Sequence, residues 1–350
     1  MFVASTFHFQ TTHVGSVPYT EASALCERLA QTLDIPAWPQ LSRRTFRENM
    51  YVQYSQGLPG IVLDEANEKI SFDTSTDLTP ALETFYARYL ADDVDSFALK
   101  PDFAAGFYAM LDVLHARPGE WAKGQVTGPI SLGLTVTDQN LRAGLYNDML
   151  ADAIVKNAAM IARWQVRQLS AVRPNVIIFV DEPYMASFGS AYISLSREQV
   201  ITMLDEVFAA IHQEGARAGV HCCANTDWSV LLATTVDVLN LDAYGYLENL
   251  ALYPAELRAF LDRGGLVAWG IVPNDDEIDT VTPEALAQRL RDGLALISRK
   301  AQARGVTLTA EELASRSLVT PRCGLGPTTV DNADKALQTL VSTARLLRQA

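Results

Sequence analysis

Short apolar runs alternate with long amphipathic stretches from one end of this chain to the other, and that alternation constrains the fold more than any other feature. The strand-like runs are Thr11–Ser16, Trp38–Leu41, Gly124–Thr127, Val176–Asp181, Gly219–His221, Val238–Asp242, Val267–Ile271 and Leu318–Thr320. Between them lie helix-like segments at Glu21–Thr32, Pro80–Leu90, Ala105–Ala116, Ala143–Leu169, Ser196–Ala218, Pro254–Arg263, Pro283–Arg304 and Asn332–Arg348. At Thr282-Pro283-Glu284 a threonine cap precedes a proline in the first helical position, where its missing N–H is not needed. The run from Val236 to Leu241 is too apolar for a half-exposed strand and suits a parallel sheet covered by helices. Eight such strands alternating with helices predict a (β/α)8 TIM barrel. The rival, an open doubly wound sheet, has little support. No Gly-x-Gly-x-x-Gly follows a strand, and Gly324-Leu325-Gly326 lacks the third glycine. Residues 57–73 do not fit a barrel helix and predict an inserted β-hairpin, Ile61-Val62-Leu63 pairing with Lys69-Ile70-Ser71-Phe72. With no repeat, low-complexity tract or linker, residues 1–350 are read as one domain.

Charge narrows the partners. The 28 basic and 41 acidic residues give a net charge of −13, which disfavours nonspecific binding to nucleic acid or to an anionic membrane. Four cysteines in 350 residues do not make a disulfide framework. Met1–Gln10 has neither the basic start nor the apolar stretch of a secretory leader, and the apolar run Val176–Val180 is too short to span a bilayer. The expectation is a cytoplasmic protein, either an enzyme acting on small molecules or one with a basic protein partner.

A barrel of this kind builds its active site at the carboxyl ends of its strands. The chemistry-bearing residues fall there: His13 and Ser16, Thr127, Asp181 and Glu182, His221 and Cys223, Asp242, and Cys323. Strand alternation turns His221 and Cys223 to one face and Cys222 to the other. Thiolate and imidazole suit zinc, so His221, Cys223 and Cys323 form a candidate metal set, with Asp242 or an exchangeable ligand as the fourth member. A free buried cysteine is more often packing, and an acidic residue at a strand end often caps the next helix. Asp181 and Glu182 end a very apolar strand and need partners, such as a substrate ammonium. Cys26 reads as core, and Asn274–Glu277 as a solvated loop without the glycine of a calcium site.

Five segments in order resemble the catalytic half of cobalamin-independent methionine synthase. They are Thr11-Thr12-His13-Val14-Gly15-Ser16-Val17-Pro18, Val126-Thr127-Gly128-Pro129, Val180-Asp181-Glu182-Pro183, His221-Cys222-Cys223 and Cys323-Gly324-Leu325. The same wider superfamily includes uroporphyrinogen decarboxylase and the zinc thiol methyltransferases that take methyl from corrinoid proteins, such as coenzyme M types. The resemblance implies zinc on His221, Cys223 and Cys323, with Asp242 at the place of the family's glutamate ligand. It also implies an amino-acid substrate held by the Gly15–Ser16 segment, Asp181 and Glu182, with Asp181 the catalytic residue. The implied reaction is methyl transfer to homocysteine, giving methionine.

Three departures shape the donor and acceptor. The family's extra N-terminal barrel for folate has no counterpart in 350 residues, Ile271-Val272-Pro273 stands where the family has a catalytic histidine, and a substrate-binding glutamate is missing near Val52 and Gln53, with Glu48 close by. The first two favour methylcobalamin or a methylated corrinoid protein over methyl-folate; the third weakens homocysteine as acceptor. The rival enzyme, a decarboxylase of poly-acidic tetrapyrroles, wants arginines clustered at the strand ends and has no use for three soft ligands. A protein that stores zinc or carries a corrinoid without turnover is the non-enzymatic alternative.

Overall fold

The computed structural model describes residues 7–191 and 193–349. Among these, nine strands form: β1 Gln10–Thr11, β2 Ile61–Asp64, β3 Lys69–Phe72, β4 Trp121–Thr127, β5 Asn175–Asp181, β6 Arg217–Cys222, β7 Val238–Leu241, β8 Leu266–Val272 and β9 Ser317–Pro321. Seven of them make one parallel sheet in the order β1-β9-β8-β7-β6-β5-β4, while β2 and β3 pair as an antiparallel hairpin. Helices cross over between the parallel strands, as parallel pairing demands. The chain is thus an α/β protein with a curled parallel sheet, compatible with a TIM-like fold. Most helix expectations hold within a few residues: Ala105–Ala116, Pro254–Asp262, Pro283–Ala303 and Val330–Arg348 are helical. The segment expected to be helical to Ala218 ends at Gln213, because Gly215 turns the chain with φ +80° and β6 begins at Arg217.

One strand expectation fails. Trp38–Leu41 is not a ladder strand, so the regular sheet does not close on itself. Segment 35–40 lies between β1 and β4 and touches both sides through single parallel bridges, Ser16 with Gln40 and Ala37 with Lys123. The Trp38 amide donates to Lys123 O at 3.2 Å and the Gln40 amide to Gly15 O at 3.0 Å. Pro36 and Pro39 interrupt this segment, and proline has no N–H to give a ladder. The first predicted strand is shorter for the same seam, with ladder pairing only at Gln10 and Thr11.

Side chains alternate along each parallel strand between two cores. Val176, Ile178 and Val180 face the surrounding helices, with Val220, Cys222, Leu239 and Leu241. On the inner face Phe7, Trp121, Ile177, Phe179, Val238 and Leu318 fill the amino-terminal half of the barrel-like interior. Cys26 lies in the outer core, its thiol pushed up to about 12 by burial. The expected hairpin is present, and Phe72 anchors it: its ring packs where any Cβ on Gly144 would come within 2.5 Å, and its amide donates to Thr137 O at 2.9 Å. No helix among the described residues is long and apolar enough to cross a membrane.

Candidate metal centre at the carboxyl ends of the strands

Parallel register sets a row of polar side chains across the inner face. Thr127 is paired with Asp181, Asp181 with His221, and His221 with Asn240. Two residues after His221, Cys223 lies on the same face, while Cys222 is fully buried in the outer core. Cys323 follows the end of β9, three strands away. Its approach depends on Gly270 of β8. A Cβ there would lie 2.6 Å from Leu241 O and 2.7 Å from Arg322 Cα, so the ends of β7 and β9 close over a residue that must have no side chain. The result is that His221, Cys223 and Cys323 each offer one ligand atom, all within 4.8 Å of one another. This is a possible metal site.

The imidazole is held by Asn240. His221 Nδ1 lies 2.6 Å from Asn240 Oδ1, and Asn240 Nδ2 donates to Ala268 O at 2.8 Å and to Thr320 Oγ1 at 2.9 Å. His221 Nε2 is buried and has no hydrogen-bond partner. The Cys323 thiol beside Cys223, helped by the nearby imidazole and opposed by burial, pulls Cys223 down to about 4. Cys323 moves the other way, well above its ordinary value. Metal binding at such a pair would release the thiol protons.

The other expected site residues divide into two groups. Asp181 Oδ1 is buried and has no partner, and burial raises this carboxyl to about 6 against the pull of His221 and Lys123. Glu182 is fully buried but engaged. One oxygen accepts from the Ile130 amide at 3.0 Å; the other accepts from the Ser131 amide at 2.8 Å and its hydroxyl at 2.6 Å. Glu182 therefore ties β5 to the start of helix Pro129–Thr135, and Gly128 leaves it room. Ser16 Oγ accepts from the Gly326 amide at 3.3 Å and lies where a Cβ on Gly324 would be 2.2 Å away, so the Gly15–Ser16 segment packs on the Cys323 loop. Asp242 is the N-cap of helix Ala243–Leu250, accepting from the Gly245 amide at 2.7 Å, and stands outside the three-ligand set. Thr127 Oγ1 donates to Met50 O at 2.8 Å, and Glu48 is held by the Leu41 amide and Arg44.

Three contributors were not singled out in the sequence: Asn240, Gly270 and Lys123. Lys123 is fully buried on β4, with Nζ 2.6 Å from Val14 O and 4.3 Å from the Phe179 ring centre. Burial lowers it to about 7, partly offset by Asp181. The alternation Lys123, Gln125, Thr127 was the available signal, an inward polar face in a strand apolar on its other side. The loop Asn274–Glu277 is not simply solvated. Asn274, Asp275 and Glu277 clasp Arg322, and Asn274 Nδ2 donates to Gly324 O at 2.9 Å. That clasp steadies both neighbours of Cys323.

No protein-family model and no curated protein matches this chain.

Proposed function

We propose that the protein is a zinc-dependent S-methyltransferase acting on a thiol, with homocysteine as the expected acceptor and a methylcorrinoid as the expected donor. The observation that carries this reading is the convergence of one bare imidazole nitrogen and two sulfurs within 4.8 Å. Two thiolates and a neutral imidazole fit zinc better than magnesium or calcium, which take oxygen ligands. Three protein ligands leave a fourth position for substrate, the pattern of catalytic rather than structural sites. His221, Cys223 and Cys323 would hold zinc, which would supply the charge that keeps a substrate thiol deprotonated near neutral pH. In the same reading, segment 35–40 serves as the eighth stave of a TIM barrel.

The chain's own groups orient the substrate. Asp181 Oδ1, unpartnered and one strand from His221, is the acceptor for the ammonium of an amino-acid thiol. An ammonium there would satisfy the carboxylate that burial otherwise disfavours. Glu182 has both oxygens occupied and serves by holding Asp181's strand end against the next helix. Asp242 supports the opening from its cap position.

The donor follows from which acids are available. Methyl-folate leaves well only if its departing nitrogen is protonated, which needs a positioned acid. Val272, at the end of β8, is apolar and fully buried. His13 is no substitute: burial, reinforced by Lys123, drives its imidazole down to about 3, and its Nε2 sits on Ala37 O at 3.1 Å. A methylcorrinoid leaves as reduced cobalt and needs no proton.

The test is incubation of zinc-loaded protein with a panel of thiols, against methylcobalamin and methyl-folate in parallel. Methionine from homocysteine with methylcobalamin alone is the expected result. Turnover with methyl-folate alone reverses the donor, and zinc uptake without any turnover returns the protein to a binding role.

A further inference from the structure

An imidazole has two nitrogens, and a metal needs the one that carries no proton. Asn240 decides which it is. Its amide has one end that accepts and one that donates, and three neighbours constrain how it lies. Ala268 O is a backbone carbonyl and can only accept, so the amide end facing it must be Nδ2. The second Nδ2 hydrogen meets Thr320 Oγ1 at 2.9 Å. Oδ1 is thereby turned to His221 at 2.6 Å, and since it can only accept, Nδ1 must carry the hydrogen. Nε2 is then the nitrogen that can give a lone pair to a metal, buried and without a geometric hydrogen-bond partner, within reach of the two cysteines.

We infer that Asn240 is the positioning residue of the metal centre: it locks His221 in the Nδ1–H tautomer and ties the strand carrying His221 and Cys223 to the strand that leads to Cys323. The second half of the statement rests on span. Asn240 on β7 accepts from β6 and donates to β8 and β9, so one side chain bridges four neighbouring strands. Ala268, its register partner on β8, is small, and Asn240 reaches past it to Thr320, three residues before Cys323. Asn240 and Thr320 are both fully buried, so water does not compete for these bonds. Aspartate could receive the Nδ1 hydrogen equally well but would present no donor to Ala268 O or Thr320.

This inference rests on the metal reading, so one arm of its test needs no metal. In metal-free wild-type protein, long-range proton–nitrogen NMR correlations should show a proton on His221 Nδ1; a ring protonated on Nε2 with a bare Nδ1 overturns the assignment. In the second arm, zinc affinity is measured by competition with a chromophoric chelator. Asn240→Leu should bind zinc about 10–100-fold more weakly, the usual cost of losing an outer partner of a ligand histidine. Asn240→Asp, which keeps the acceptor, should recover most of that loss while melting at a lower temperature. Thr320→Val, which keeps the His221 contact but cuts the tie to the strand leading to Cys323, should bind zinc more weakly than wild type and more tightly than Asn240→Leu; wild-type affinity there overturns the tie. Unchanged affinity in a folded Asn240→Leu protein, or equal losses in the Leu and Asp variants, overturns the proposal. A wild-type protein that takes up no zinc defeats the metal reading alone, because the tautomer measurement still judges Asn240.

Discussion

On strand β5, Ile177 and Phe179 look inward among apolar neighbours, and Asp181, the next residue on that face, ends in a carboxylate oxygen with nothing to bond. The same change occurs along β6 and β7. Gly219 lies below His221, its missing side chain filled by Phe179, and Val238 lies below Asn240. The amino-terminal half of the interior is packed mainly with apolar side chains. The carboxyl-terminal half is polar and holds bare atoms on Asp181, His221 and His13. Unsatisfied buried groups cost about 1–3 kcal/mol each, so the lower layer must supply stability that the upper layer consumes. One strand thus serves both ends, because alternation keeps a single face while the residues along it change its chemistry.

That division can be broken at four places. The largest effect belongs to Cys323→Ser, which should lower zinc affinity by more than about 100-fold, beyond the loss expected for an outer partner. Cys222→Ser should keep zinc because its side chain faces the outer core. Equal metal content in the two after dialysis would remove Cys323 from the ligand set. Next is Asp181→Asn. Breaking a buried ion pair costs roughly 3–5 kcal/mol, so homocysteine titrated by calorimetry should bind at least about 100-fold more weakly, with zinc content unchanged. Unaltered homocysteine affinity would point to a thiol without an amino group.

Phe179→Ala tests the lower half. Removing a fully buried phenylalanine should cost about 3–5 kcal/mol in urea unfolding while the folded protein keeps its metal. If zinc is lost at concentrations where the fold persists, floor and site are not separable. The smallest effect is expected at Asp242→Asn. Asparagine caps a helix about as well as aspartate, so stability should shift by less than about 0.5 kcal/mol. Zinc content should also hold; a large loss would make Asp242 a ligand.

Much of this was legible beforehand because it follows from spacing. Alternation placed His221 and Cys223 together and sent Cys222 away, and apolar runs located six of the seven strands of the parallel sheet to within a few residues. Trp38–Leu41 is apolar enough for a strand, but Pro36 and Pro39 withhold N–H groups from a ladder, which hydrophobicity alone does not reveal. The sequence around Glu182 shows no partner for it but a substrate, since the helix start that satisfies it is about fifty residues earlier in the chain. Asn240 was hidden for a similar reason: all three of its partners come from other strands. Lys123 lies just before the predicted start of its strand, and a lysine there reads as surface until the barrel-like interior closes over it.

Gly270 contributes no side-chain donor atom and no charge, yet the spacing between Cys323 and the other two candidate ligands depends on it. The atoms that a side chain there would strike are main-chain atoms, Leu241 O and Arg322 Cα, which cannot swing aside as a rotamer can. A chain that retained His221, Cys223 and Cys323 but carried alanine at that position would possess the donors without the spacing. The spacing of the candidate donor atoms depends on a missing carbon as firmly as on the three residues that present nitrogen and sulfur.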